Sequence, residues 1–330
     1  MHLSVIVPVF NRPAEVEDLL YSLTLQTDRA FEVIVVEDGS TITCEAVVNA
    51  FTSKLDVNYL YQPNSGPGPA RNAGSKAAQG DYLIFLDSDC VLPARYIEVV
   101  KSSLTLDYAD AFGGPDQARD DFTLLQRAIN YSMTSFLTTG GIRGGNERLD
   151  KFYPRSFNMG YSMPVFERTG GFSAMRFGED IDMSIRIIGA GFKTRLIREA
   201  YVYHRRRTTL RRFFKQVYNS GIARINLYKR HPHSLKLVHL APTMFTLGVA
   251  FISTLSTIVS PYFLLLLLVY SAFILFDATI RNRSVLIGLL AVVMSYVQLV
   301  GYGIGFIHAF FMRIILRLGE FAMFQRSFYN

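Results

Sequence analysis

Two clusters of carboxylates have the spacing for chemistry. Asp87-Ser88-Asp89 sets two acids one residue apart, directly after the apolar run Tyr82–Leu86. Such a pair at a strand end can hold a hard divalent cation through oxygen, and the cation would neutralise a pyrophosphate leaving group. A solvated turn is the plain alternative for the triplet by itself, and the strand before it favours the chemical reading. Gly178-Glu179-Asp180-Ile181-Asp182 packs three acids into four residues, ahead of a helical pattern carried by Met183, Ile185, Ile187 and Ile188. Acids in a first turn complement the helix dipole. Three exceed what a cap needs, and one of them is placed to take the proton of an acceptor hydroxyl. Glu179 and Asp182 share a helix face, and Asp180 points elsewhere. Gly66–Gly74 offers glycines for close backbone approach to a ligand and Arg71 for pairing with phosphate; ordinary loop-to-helix entry is the alternative. His204, followed by Arg205, Arg206 and Arg207, stands where metal or phosphate contact would make sense.

These residues need a frame, and the flanking sequence predicts one. Leu3–Phe10 and Phe31–Val36 are continuous apolar runs, the mark of buried parallel strands. Asn11-Arg12-Pro13 ends the first, and Val16, Leu19, Leu20 and Leu23 follow at helical spacing. A helix near Cys44–Phe51, a strand at Val57–Tyr61, a helix out of the Asn64–Pro69 loop, the Tyr82–Leu86 strand and a helix over Pro93–Leu104 continue the alternation. Strands and helices in this order imply a mostly parallel sheet with crossover helices. Ligands bind such sheets beyond the carboxyl ends of the strands. Phe10-Asn11, Asp38 and Asp87-Ser88-Asp89 all fall at such ends, so one crevice gathers them. Gly113–Arg155 is less regular, and Gly140–Gly145 suits either a lid or a flexible surface loop.

Half of the 330 residues are hydrophobic and 18% are charged. The shortage of charge is local: Leu240–Phe276 and Ser284–Met312 contain no Asp, Glu, Lys or Arg. The first stretch has 37 residues, too long for one straight crossing of a ~30 Å hydrocarbon core, and Ser260-Pro261 divides it into two helices. Arg281 and Arg283 then return to the cytoplasmic side. A third crossing at about 285–307 would leave Arg313, Arg317 and Arg326 outside, against the positive-inside rule, unless that segment is re-entrant. Twelve Lys or Arg and one acid, Glu199, lie between Phe192 and Arg230, a local excess of positive charge larger than the net charge of +7 of the whole chain. Beside apolar segments this basic block points to anionic lipid and not to nucleic acid. Leu210, Phe213, Phe214, Val217, Gly221, Ile225 and Tyr228 form one side of a helix in that block, read as an interfacial helix or as a core helix with a solvated basic face. Cys44 and Cys90 have neither metal-ligand spacing nor a disulfide framework, which fits a reduced compartment. The N-terminal apolar run lacks a basic lead and a cleavage site, so it reads as a strand and not a signal peptide.

Taken together, Val-Pro-Val-Phe-Asn at 7–11, Glu-Asp-Gly-Ser at 37–40, Gly-x-x-x-Ala-Arg-Asn-x-Gly at 66–74, Asp-Ser-Asp at 87–89 and Gly-Glu-Asp-x-Asp at 178–182 resemble the family 2 glycosyltransferases over about residues 3–220. The resemblance implies a GT-A fold, an inverting single displacement, a nucleotide-sugar donor (a UDP-sugar first) and a divalent metal, Mn2+ or Mg2+. It implies that Asp38 contacts the donor base, with Pro8, Phe10 and Asn11 alongside. Arg71, Asp87 and Ser88 would complete the donor side, with Asp87 facing the ribose. Asp89 would bind the metal, with His204 as a looser match. Asp180 would be the catalytic base with Glu179 beside it.

Processive members carry Gln-x-x-Arg-Trp near the membrane. Here the nearest counterpart is Gln216-Val217-Tyr218-Asn219-Ser220, and the chain has no Trp. One sugar per encounter is therefore expected. The expected organisation is a catalytic domain over 1–235, cytoplasmic, and a membrane region over 236–330 in the inner membrane. The expected acceptor is lipid-linked or membrane-proximal, in cell-surface polysaccharide or glycolipid synthesis. A polyprenyl-phosphate acceptor, an inactive nucleotide-sugar-binding scaffold and a nucleotidyltransferase are the competing readings; the last explains Glu179–Asp182 poorly.

Overall fold

The computed structural model describes residues 1–117, 123–139, 152–204 and 209–320, and the backbone alone of His204. The Gly140–Gly145 loop, Arg205–Arg207 and Arg326 lie outside the described residues. In chain order the elements are β1 (Leu3–Val9), α1 (Pro13–Thr24), β2 (Phe31–Asp38), α2 (Glu45–Asn49), β3 (Val57–Gln62), α3 (Pro67–Ala77), β4 (Tyr82–Leu86), β5 (Cys90–Val91), α4 (Tyr96–Leu106), β6 (Ala111–Gly113), β7 (Asp116–Gln117), α5 (Leu124–Thr134) and α6 (Phe136–Thr139). They continue with β8 (Asn158–Ser162), α7 (Met163–Thr169), α8 (Glu179–Gly189), β9 (Thr194–Leu196), β10 (Val202–His204), α9 (Leu210–Arg230), α10 (Ala241–Ile258), α11 (Leu264–Asn282) and α12 (Val285–Phe310). They form two compact units: one holds 1–117 and 152–204, the other 123–139 and 209–320.

The first unit is an α/β sheet of order β3-β2-β1-β4-β8-β6-β9. β1 pairs in parallel with both β2 and β4, and β2 with β3. These strands are apolar on both faces because both faces are covered. Val5, Val7, Val33, Val35 and Ile84 pack with Val16, Leu19, Leu20 and Leu23 of α1. Ile6, Leu83 and Phe85 face the other way, with Met183 and Ile187 of α8. After β3 the chain passes to the far side of β1, so the strand order reverses between β1 and β4, which opens a crevice at their carboxyl ends. The two antiparallel pairings were not expected. β8 pairs antiparallel with both β4 and β6. Its sequence, Asn-Met-Gly-Tyr-Ser, has no strand-like alternation, and its Gly160 is fixed by a neighbour: a Cβ there would lie 2.3 Å from the Phe112 ring. A small second sheet, β5-β10-β7, sets His204 opposite Cys90.

In the second unit α12 contacts α5, α9, α10 and α11. Ser260-Pro261 separates α10 from α11, as the sequence predicts, and the Ser260 hydroxyl accepts from Tyr262 N. The segments Leu237–Ile258, Pro261–Asn282 and Val285–Ile315 are each long and apolar enough to cross a membrane. Much of the apolar side of α9 packs on α12, while Leu210 and Phe214 on that side stay partly exposed. The two helices run parallel: Val217 meets Gly301, Gly221 meets Tyr302 and Phe306, and Lys229 Nζ donates to the Arg313 carbonyl at 3.3 Å. Glycine permits this contact. A Cβ on Gly305 would sit 2.0 Å from the Tyr218 carbonyl oxygen, and one on Gly221 2.2 Å from that of Tyr302. Gly305→Val is therefore expected to destabilise the protein by ~1–3 kcal/mol or more, since backbone must yield. Gly248, with nothing within 4 Å of a Cβ, supplies the control Gly248→Ala. Thermal unfolding in detergent would show it; equal midpoints for Gly305→Val and Gly248→Ala would contradict the contact.

Candidate active site

Three strand ends build one wall. Pro8 stands opposite Val36 near the end of β1, and Phe10 follows β1, half-buried. Asn11 adopts a left-handed φ of 54°, which asparagine tolerates better than most residues. Its side-chain oxygen accepts from Thr41 N at 2.8 Å and Ile42 N at 2.9 Å, and its own N–H donates to Ser40 Oγ at 2.7 Å. Asp38, ending β2, is buried. Its carboxylate accepts from Gln62 Nε2 at 2.7 Å, Ser65 N at 2.8 Å and Gly66 N at 2.8 Å. Asp38 thus holds the loop that leads into α3. Two glycines of that stretch serve packing: a Cβ on Gly68 would lie 2.5 Å from the Ser173 carbonyl, and one on Gly74 the same distance from Ile6, whereas Gly66 has open space and a φ of 96°.

Beyond β4, Asp87 is partly exposed, Ser88 is buried, and Asp89 is nearly so. Asp89 Oδ2 accepts from Arg12 Nη1 at 2.6 Å. Arg71 does not stand open for phosphate. Its guanidinium is buried, donating through Nη2 to Asp87 Oδ1 at 2.9 Å and through Nη1 to Glu179 Oε1 at 3.0 Å, with its Cζ 5.3 Å from the centre of the Phe172 ring. One arginine therefore ties the strand-end acid to the helix-start acid.

α8 opens at Gly178, whose φ of 81° suits glycine. Each acid of its first turn has its own arginine. Glu179 takes Arg71, Asp180 takes Arg155 (Nε to Oδ2, 2.6 Å), and Asp182 takes Arg186 one turn on (Nη2 to Oδ2, 2.8 Å). All three acids are buried. Burial and the neighbouring Asp180 push the Glu179 carboxyl above the ordinary range, against the pull of Arg71. Burial would also raise Asp180, but Arg155 and the N–H of Ile181 hold it below the ordinary range. The two shifts act oppositely on stability. Asp180 contributes stability that is present above its unfolded value and lost as pH falls through its lowered folded value. Glu179, raised on folding, costs stability as pH rises from the ordinary glutamate range through its folded value. Glu179→Gln, which keeps an oxygen for Arg71, is expected to flatten that loss. Unfolding midpoints across pH would show it, and parallel curves for variant and parent would contradict it.

Sequence reading missed Arg12, Arg155 and Phe172 as parts of this site. Asn11-Arg12-Pro13 read only as a strand terminator, and Arg155 lay in the irregular stretch. The structure brings Asp87, Arg71, Glu179, Asp180 and Arg155 into one chain of contacts, and Arg12 joins Asp89. His204 comes near by backbone register, opposite the residue after Asp89.

The model of the family described as "Glycosyl transferase family 2" matches residues 4–178, from β1 to the residue that opens α8. The chain belongs to that family. An uncharacterized glycosyltransferase of Haemophilus influenzae is 35% identical over 132 residues, covering 38% of this chain and 44% of that one. Poly(ribitol-phosphate) beta-N-acetylglucosaminyltransferase TarS of Staphylococcus aureus is 40% identical over 93 residues, 27% of this chain and 16% of its own length. In both, the match spans less than half of the relative. Among solved structures, the mannosyltransferase from Pyrobaculum calidifontis in complex with GDP-Man and Mn2+ superposes with a TM-score of 0.64 at 19% identity, over 89% of this chain and 86% of that one. TarS 1–349 in complex with UDP-GlcNAc gives 0.51 at 22%, over 68% and 67%. This family 2 glycosyltransferase therefore has the GT-A fold with a mostly parallel central sheet. Its strand-end acids occupy the crevice where that sheet architecture places ligands.

Proposed function

We propose that this family 2 glycosyltransferase moves one sugar from a nucleotide-sugar donor, with inversion, to a lipid-linked or membrane-proximal acceptor. The observation that carries the reading is the continuous chain Asp87–Arg71–Glu179/Asp180–Arg155, which fixes acids from two elements around one crevice. In this reading Pro8, Phe10 and Asn11 flank the donor base. Asp38 shapes the base pocket by holding the loop at 62–66, and Asp87 and Ser88 face the ribose and phosphate. Arg155 holds Asp180 ionised, the form able to accept a proton from an acceptor hydroxyl. Glu179 and Arg71 hold Asp180 in place.

Asp89 would hold a divalent cation, Mn2+ or Mg2+. The donor set fits an oxygen-loving ion that takes one or two carboxylates from protein and the rest from substrate phosphate and water. Among the described residues no three His, Cys, Asp or Glu side chains form a group that could hold a metal ion by themselves. When bound, the ion would neutralise charge on the leaving diphosphate. TarS with UDP-GlcNAc and the mannosyltransferase with GDP-Man and Mn2+ make a UDP- or GDP-sugar the first donors to try. Thermal shift with UDP- and GDP-sugars, with and without Mn2+ or Mg2+, tests this. Stabilisation by one donor, lost in Asp89→Ala, is expected; no shift with any donor would contradict donor binding, and a shift without measurable donor hydrolysis would favour the inactive scaffold. Arg155 favours a second acceptor class. A cation beside Asp180 suits a polyprenyl phosphate, whose oxygen already carries charge and needs no base.

The membrane reading places α10 and α11 across the inner membrane, with the catalytic unit cytoplasmic. α12 is long and apolar enough to cross as well, and a crossing would put Arg313 and Arg317 on the side opposite Arg281 and Arg283, against the positive-inside rule. Digestion of a tag after Asn330 only from the face of Arg281 and Arg283 would show that α12 does not cross; digestion only from the opposite face would show a full crossing.

A further inference from the structure

The stretch from Thr123 to Thr139 interrupts the catalytic fold between β7 and β8 and belongs to the second unit. From Ala128 to Ile142 the sequence has no Asp, Glu, Lys or Arg. Its polar end is its beginning, where Thr123 and Gln126 form a capping box and Arg127 follows. Ala128, Ile129, Tyr131 and Met133 pack with Ile274 and Ala278 of α11 and with Ile287, Ala291 and Met294 of α12. Two hydrogen bonds fix the course of the segment. Tyr131 OH donates to Asp277 Oδ2 at 2.7 Å, and Tyr270 OH donates to the Leu137 carbonyl at 3.0 Å. Their α11 partners are seven residues apart, ~10 Å along the helix. The segment therefore runs from the charged end of α11 towards its apolar middle.

At the far end Phe136 is 71% exposed, and Leu137 is exposed beside it. Phe273, one turn on from Tyr270, is 62% exposed. The polar groups at the break between α5 and α6 turn inward. Ser135 N donates to the Tyr131 carbonyl at 2.8 Å and Thr139 N to the Ser135 carbonyl at 3.0 Å. The hydroxyls of Ser132, Thr134, Thr138 and Thr139 donate to the carbonyls of Ile129, Asn130, Ser132 and Ser135 respectively. Hydrocarbon requires such pairing, because an unpaired polar group there costs several kcal/mol. The exposed Ser102 and Thr105 of α4 bond in the same way, so the pairing permits lipid contact, and the exposed Phe136 and Leu137 beside α11 are what point to it.

We infer that α6 and the end of α5, led by Phe136 and Leu137, contact the acyl chains of the bilayer. The second unit then meets lipid through an element drawn from within the catalytic fold as well as through its C-terminal helices. The inference rests on the reading of α11 as membrane-embedded. The chain has no Trp, so Phe136→Trp and, separately, Leu137→Trp create single reporters. Full-length protein would be reconstituted in phosphatidylcholine vesicles brominated along the acyl chains. Phe273→Trp serves as the reporter for α11, and Leu106→Trp, at an 87% exposed position ending α4, as the aqueous reference. Emission from Phe136→Trp is expected to be quenched as strongly as that from Phe273→Trp, with Leu106→Trp unaffected. Quenching of Phe273→Trp without quenching of either α6 reporter would show that protein covers this element and would overturn the inference alone. An unquenched Phe273→Trp would overturn the membrane reading of α11, and the inference with it. Should one α6 variant fail to reconstitute, the other reports on the same turn.

Discussion

Asp180→Asn is expected to lower sugar transfer by a factor of about 10² or more while leaving donor affinity near that of the parent, as for loss of a positioned base. The substitution keeps the shape of the side chain and an oxygen for Arg155. What it removes is the negative charge that Arg155 and the Ile181 N–H stabilise, and with it the capacity to accept a proton. Donor titration and the rate of nucleoside diphosphate release would be measured on the same preparation. A collapse of donor affinity with normal turnover per bound donor would make Asp180 a binding residue. A polyprenyl-phosphate acceptor gives a third pattern: transfer to hydroxyl acceptors lost, transfer to phosphate retained.

Arg71→Ala is expected to cost the most stability of any single change in the site. Removing one partner of a buried ion pair costs about 3–5 kcal/mol, because the other is left charged without compensation. Here Glu179 is buried and Asp87 partly so, and both lose the same guanidinium. Phe172 loses its cation as well. Arg71→Lys is expected to recover only part of the loss, since an ammonium has no planar fork to serve two carboxylates at once. Denaturant unfolding of the detergent-solubilised protein measures this. A midpoint for Arg71→Ala equal to that of the parent would show that the bridge does not hold the site together. Transfer should fall in parallel, because α8 and the end of β4 lose their common tie.

The contrast between Arg71 and the acids shows what sequence can carry. Phe10, Asp38 and Asp87 were placeable because each follows an apolar run, and parallel strands put such ends at one edge. The start of α8 was readable from a glycine followed by three acids. The partners were not readable. Arg71 reaches Asp87 across 16 positions and Glu179 across 108, and local periodicity says nothing about pairs so far apart. For the same reason Arg155 and Arg12 stayed hidden, although each takes a carboxylate of the site. β8 was missed because a strand buried between two neighbours can use Gly and Asn where packing and hydrogen bonds, not propensity, decide. The apolar side of α9 looks alike whether it meets lipid or a helix. The glycines at 221, 301 and 305, which nothing local in the sequence pairs, let it come close to α12.

The proposed reaction moves a sugar from a nucleotide donor to a lipid-linked or membrane-proximal acceptor. The most direct measurement follows radiolabel from UDP- and GDP-sugars into the organic phase of a membrane extract, using full-length protein in vesicles beside its Asp180→Asn variant. Label extracted into the lipid phase with the parent, and much less with the variant on a hydroxyl acceptor, is the expected result. Label that stays in water-soluble glycan, or enters lipid equally with parent and heat-killed protein, would contradict the account.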